Sequence, residues 1–204
     1  LLKAGHSVKA WNRTNSKVDE FVADGGEAAS SPKNAATDVD VVITIVTDSP
    51  DVLEVALGEN GIIHGLSKGS VYVDMSTISP EVTRMIGETM GKHDIEMLDA
   101  PVSGGVLGAQ NAALSIMVGG SMDVFKRTMP LFEAMGQRVT YCGGPGMGQV
   151  TKLVNQVIVA GTMAAVSEGL LFGAVAGVDL NAAFAAITGG AANSWQLENL
   201  GSKL

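Results

Sequence analysis

The stretch Val39-Asp40-Val41-Val42-Ile43-Thr44-Ile45-Val46 constrains the fold more than any other in the chain. A nearly unbroken run of β-branched residues offers water no polar face, which marks a strand covered on both sides. Such a strand needs helices above and below it, and the flanking sequence supplies them. Asn15 to Asp24 has helical composition, with Val18, Phe21 and Val22 on one face. Pro50 to Leu57 and Val124 to Met135 read as further helices. Ser31-Pro32 and Ser79-Pro80 each place proline at a first helical position, where its missing N–H is not needed. Short apolar runs between them, Ser7 to Trp11, Val71 to Asp74, Ile95 to Leu98, Leu114 to Val118 and Val139 to Cys142, read as strands. Strands and helices alternating at this spacing predict an α/β fold: a Rossmann-like, doubly wound, largely parallel sheet.

The pattern changes after Gly146. Gln149 to Ala176 is one long helical stretch rich in Ala, Gly and Val, about 40 Å long at 1.5 Å per residue. Asp179-Leu180 opens another helix through Ala186, and no strand follows. The expected organisation is a dinucleotide-binding domain over residues 1–146 and the start of an all-helical domain over 147–204. The chain opens on Leu1-Leu2-Lys3-Ala4-Gly5, the end of a helix closed by glycine, so it reads as a fragment.

Composition narrows the function classes. With 46% hydrophobic and 17% charged residues the chain is core-rich and folded. A net charge of −8 argues against a general nucleic-acid or anionic-membrane partner, though a local site can still oppose the global charge. The uncharged run Leu153 to Ser167 falls short of the roughly 20 residues that span a bilayer. One cysteine, Cys142, excludes an intrachain disulfide and fits a reducing compartment, the cytoplasm or an organelle matrix. His6, His64 and His93 are scattered without metal-ligand spacing, so no metal is expected.

The chemistry concentrates where strands end. In an open α/β sheet, ligands lie beyond the carboxyl ends of the strands. Asn12-Arg13-Thr14 follows the strand that would end at an adenosine ribose. An acidic residue there favours NAD and an arginine suits a 2′-phosphate, so Arg13 leans towards NADP(H). Val46-Thr47-Asp48-Ser49 and Asp74-Met75-Ser76-Thr77 are the next two such turns, each with capping hydroxyls. Asp99-Ala100-Pro101-Val102-Ser103-Gly104-Gly105 is more specific. Proline fixes the turn, paired glycines leave backbone N–H groups open to an anion, and Ser103 adds a hydroxyl donor. A carboxylate suits such a nest. Finally, Gly143-Gly144-Pro145-Gly146-Met147-Gly148 opens the long helix, and Lys152 and Asn155, three residues apart, share one face of it. A cation near a helix N-terminus opposes the helix dipole, so a solvated lysine is an unfavourable choice there.

Two of these motifs together resemble the internal signatures of the β-hydroxyacid dehydrogenases: Asp99 to Gly105 followed by Gly108-Ala109, and Gly143-x-x-Gly146-x-Gly148-x-x-x-Lys152-x-x-Asn155. That family includes 3-hydroxyisobutyrate dehydrogenase and tartronate semialdehyde reductase. The resemblance implies hydride transfer between NAD(P) and a small β-hydroxyacid or its semialdehyde. It implies Lys152 as general acid/base on the substrate oxygen and Asn155 as its neighbour on the substrate. Ser103, Gly104 and Gly105 would hold the carboxylate. Asn12, Arg13, Thr14, Val46, Thr47 and Thr77 would lie on the cofactor side, and the active form would be a homo-oligomer. It also implies that the family's first strand and Gly-x-Gly-x-x-Gly loop, roughly 20 residues ahead of Leu1, lie outside this chain. The rest of the helical domain would lie outside it too.

The related 6-phosphogluconate dehydrogenases resemble Lys-x-x-His-Asn at this point. Lys152-Leu153-Val154-Asn155-Gln156 lacks that histidine, which disfavours a decarboxylating sugar-phosphate enzyme. The competing class is a non-catalytic dehydrogenase-like scaffold or dimerisation module, which would have no need of Lys152 and Asn155.

Overall fold

The computed structural model describes residues 1–201, which divide into two compact units, Leu1–Lys152 and the residues from Leu153 onward. The first unit holds all the strands among the described residues. In chain order it runs β1 (Lys9–Ala10), α1 (Asn15–Ala23), β2 (Glu27–Ala28), α2 (Pro32–Ala35), β3 (Val41–Thr44) and α3 (Ser49–Leu57). It continues through β4 (Val71–Asp74), α4 (Pro80–Gly91), β5 (Glu96–Asp99), β6 (Val102–Ser103), α5 (Gly105–Gln110), β7 (Leu114–Gly120), α6 (Met122–Glu133) and β8 (Gly136–Gly143). The helix α7 (Met147–Val175) starts in this unit and runs into the second, which adds α8 (Leu180–Thr188) and α9 (Trp195–Leu200).

The main sheet has the order β3-β4-β5-β7-β6, with β8 on β7, and β1 pairs with β2 in a separate two-stranded sheet. The sheet is mixed. β3, β4 and β5 are parallel, but β7 runs antiparallel to both β5 and β6 before β8 returns parallel to it. The cause is the connection through β6 and α5, which reverses the chain without a full crossover helix, so strand–helix alternation alone misses it.

Helix starts follow their capping chemistry. Asp48 accepts from the Ser49 N–H ahead of α3, and Ser79 accepts from the Glu81 N–H ahead of α4, each with proline in the first turn. One core, built on Val73, Leu98, Ile116 and Phe132, packs α6 against β4, β5 and β7. A second, built on Val52, Tyr72, Ile86 and Met90, packs α3 and α4 on the other face. Covering the sheet on both faces is what the β-branched composition of β3 and β4 requires.

The division between units falls at Lys152, six residues beyond the Gly146 boundary expected from the change in sequence pattern. Its cause is visible in the first turns of α7, where Gly148, Gln149 and Lys152 are buried in the α/β unit. By length and composition α7 could cross a membrane, although Lys152 and Glu168 lie within it.

Candidate functional site

The carboxyl ends of β3, β4 and β5 are joined by buried polar side chains. In β3, Thr44 donates its hydroxyl to Asp74 Oδ1 at 2.8 Å and shares a hydrogen bond with the Tyr72 hydroxyl at 2.9 Å. The Ser76 N–H reaches the same Asp74 oxygen at 3.2 Å, and the Val46 N–H donates to Ser76 Oγ at 2.9 Å. The turns after β3 and β4, where the sequence places Val46, Thr47 and Thr77, are therefore locked to one another. Burial pushes the Asp74 carboxyl above the ordinary carboxylate value, against the pull of its bonds to Ser76 and Thr44. Its second oxygen has no partner among the described residues.

From these turns the hydrogen-bond chain passes to α7. Gln149 is fully buried, donates from Nε2 to the Ser76 carbonyl at 2.7 Å and accepts the Ile78 N–H on Oε1 at 3.1 Å. Asp99, at the end of β5 and only 1% exposed, accepts the Gly146 N–H at 2.8 Å and the Gln149 N–H at 2.9 Å. A carboxylate is the natural partner for the unpaired N–H groups and positive end of a helix. Burial raises the Asp99 carboxyl above its ordinary value, and the N–H bonds from Gln149 and Gly146 oppose that shift.

The glycines of this segment permit the close approach. A Cβ on Gly148 would collide with the Met117 carbonyl and stand 2.7 Å from that of Asp99, and one on Gly119 would stand 2.6 Å from Asp99 Oδ1. Gly146 adopts φ +82°, a conformation that suits glycine.

Lys152 lies one turn beyond Gln149 and is 8% exposed. Desolvation holds its pKa below the ordinary lysine value of 10.5, and among the described residues it has no ion-pair partner. A buried, unpaired ammonium is unfavourable for stability, and desolvation brings the neutral amine within easier reach.

The Ser103 segment lies nearby along β7. Ser103 pairs with Ser115, and the Met117 carbonyl that Gly148 approaches is two residues further on, about 7 Å along the strand. Gly104 and Gly105 are exposed, with φ of +134° and +60°. The first amides of α5 have no partner within that helix and stand beside the half-buried Ser103. Ser103 itself belongs to the two-residue strand β6, and Gly105 opens α5, where the sequence reads only a turn.

Asn155 is half-buried on α7 and donates to Gln156 Oε1 at 3.0 Å. Asn12, Arg13 and Thr14 form the exposed turn after β1, where Asn12 Oδ1 accepts the Thr14 N–H at 2.9 Å. Arg13 extends into solvent and stands 3.7 Å from Asp51 of α3. Val46 is half-buried, and Thr47 and Thr77 are exposed at the sheet's carboxyl edge. The turns after β3 and β4 leave hydroxyls open at the carboxyl edge of the main sheet, and the Arg13 guanidinium stands beyond β1 of the separate two-stranded sheet. Sequence reasoning missed Asp99 and Gln149 as partners of one helix start; the one signal available was an amide residue between the glycine motif and Lys152.

Residues 1–144 match the family model described as the NAD binding domain of 6-phosphogluconate dehydrogenase. Residues 146–204 match the NAD-binding domain of NADP-dependent 3-hydroxyisobutyrate dehydrogenase. An uncharacterized oxidoreductase of Shewanella frigidimarina is 42% identical over 98% of this chain and 69% of its own length. The 2-hydroxy-3-oxopropionate reductase of Escherichia coli is 41% identical over the whole chain and 70% of its own length. In structure, the 3-hydroxyisobutyrate dehydrogenase of Mycobacterium tuberculosis, solved with L-serine, superposes with a TM-score of 0.87 at 30% identity. That match covers 97% of this chain and 67% of the other. With both signature motifs in place on this fold, the chain belongs to the β-hydroxyacid dehydrogenase family of NAD(P)-dependent oxidoreductases.

Proposed function

We propose that this chain carries the proton-transfer and carboxylate-binding residues of an enzyme that interconverts a small β-hydroxyacid and its semialdehyde, of 3-hydroxyisobutyrate or 2-hydroxy-3-oxopropionate type. The observation that carries the reading is Lys152, a buried lysine with its pKa lowered by desolvation at the start of a docked helix. In oxidation its neutral amine takes the proton from the substrate hydroxyl; in reduction its ammonium returns a proton to the aldehyde oxygen. Ser103 and the amides of Gly104 and Gly105 hold the substrate carboxylate, and Asn155 orients the substrate from the next turn of α7. Asn12, Arg13, Thr14, Val46, Thr47 and Thr77 hold the dinucleotide. A bound nicotinamide supplies the hydride acceptor in oxidation and the donor in reduction. The exposed Arg13 guanidinium supports NADP(H) over NAD(H), because it can pair with a 2′-phosphate. The enzyme works as a homo-oligomer in the cytoplasm or an organelle matrix, with no nucleic-acid or membrane partner.

Substitution Lys152→Ala in the full-length protein tests the assignment. Turnover of 3-hydroxyisobutyrate or 2-hydroxy-3-oxopropionate should fall by about 10²- to 10⁴-fold. Turnover at the wild-type rate would refute the role. The sign of the pH dependence is also fixed. Oxidation requires neutral Lys152, so its rate rises as pH rises through the lowered lysine pKa, while reduction requires the ammonium and slows over the same range. Parallel profiles in the two directions would exclude Lys152 as the titrating group.

A further inference from the structure

A lysine side chain has many rotamers, and Lys152 has no ion-pair partner among the described residues to fix its ammonium. Where that ammonium stands therefore depends on where α7 begins and how it is turned about its axis. Asp99 and Gln149 set both. The Asp99 carboxylate takes N–H groups from Gly146 and Gln149, which anchors the helix start to the end of β5. Gln149 uses both ends of its amide, on Ser76 and Ile78, which fixes the helix's rotation relative to the turn after β4.

A fully buried glutamine is expensive for docking alone. Burying an amide is unfavourable unless its hydrogen bonds are regained, and an apolar side chain would dock the helix without that requirement. What an apolar contact lacks is direction. Residues 149 and 152 are neighbours on the helix surface, so any rotation at one moves the other. With side-chain tips about 6 Å from the axis, a rotation of about 10° moves the ammonium about 1 Å. Misplacement of about 1 Å can slow a reaction about 100-fold.

We propose that Asp99 and Gln149 are positioning residues for Lys152, a two-point latch that fixes the first turns of α7 and thereby aims the lysine at the substrate oxygen. The proposal rests on the reading of Lys152 as the proton-transfer group. The latch also joins the two sides of the site. Ser76 receives the Val46 N–H while its carbonyl holds Gln149, so the cofactor-side turns and the lysine share one hydrogen-bonded frame.

Gln149→Met in the full-length protein is the test, because methionine nearly matches the volume and removes both hydrogen bonds. Its kcat for hydroxyacid oxidation should fall about 10- to 100-fold. The acid limb of its kcat–pH profile should move to higher pH, because a loosened lysine regains water. In a Lys152→Ala background the same substitution should cause no further loss, since it acts through the lysine. Losses that multiply, or an unmoved acid limb, would overturn the latch and leave Gln149 a purely structural residue. Should Gln149→Met fail to fold, Asp99→Asn answers the same question through its non-additivity with Lys152→Ala. Wild-type turnover in Lys152→Ala sinks the catalytic reading and the latch with it. An inactive Lys152→Ala beside fully active latch variants sinks the latch alone.

Discussion

Phe132 and Phe172 both sit on helices, yet Phe132 in α6 is 0% exposed and Phe172 in α7 is 75% exposed. The contrast extends to the units they belong to. Among the described residues, every buried apolar side chain except Leu197 lies within the α/β unit, while Val157, Ile158, Leu171 and Val175 of α7 are exposed. The α/β unit builds its own core, and α7 contributes to it only through its first turns. The contrast teaches that the apolar composition of α7 and the placement of Lys152 have separate causes. Glycines and two buried polar side chains, all within the α/β unit, dock the lysine end.

Paired substitutions in the full-length protein put the contrast under test. The largest effect should come from Phe132→Ala, a loss of about 3–5 kcal/mol in denaturant unfolding, because it opens a cavity in a closed core. Gly148→Ala should cost about 1–3 kcal/mol, since its methyl group meets the backbone of Asp99 and Met117. On the same helix Gly161→Ala meets nothing within 4 Å and should instead stabilise by about 0.5–1 kcal/mol through helix propensity. A destabilising Gly161→Ala would mean that another surface lies against that face. The smallest effect is expected from Phe172→Ala, within about 0.5 kcal/mol. A loss there approaching that of Phe132→Ala would abolish the distinction and show that the α7 face is covered in the full-length protein.

What the sequence revealed follows the same division. β3, β4 and their helices were legible because a β-branched run and a prolyl helix start carry local physical signals. β1 shrinks to Lys9–Ala10, and β2 and β6 are likewise two residues long, too short to show an alternation. The antiparallel direction of β7 depends on how β6 and α5 return the chain, which no local pattern encodes. Helix α9, opened by the exposed Trp195, is likewise absent from the sequence reading. Within the site, Lys152 and the glycines stand out by residue type. Asp99 and Gln149 do not, because their shared bond joins residues 50 apart and a glutamine at a helix start ordinarily faces water.

The sequence distances spanned by the latch bear on when the site comes into being. Its hydrogen bonds close loops of 47 to 73 residues, whereas the helices beside it close on neighbours three or four residues away. Long loops carry the larger closure entropy and tend to be joined late. The lysine should therefore acquire its orientation near the end of folding, after the sheet beneath it is complete. Folding kinetics of Gln149→Met would show this as a faster unfolding rate with little change in folding rate. Intermediates on the way would then have a formed sheet and no working site, and catalytic competence would report on the last long-range joins of the chain.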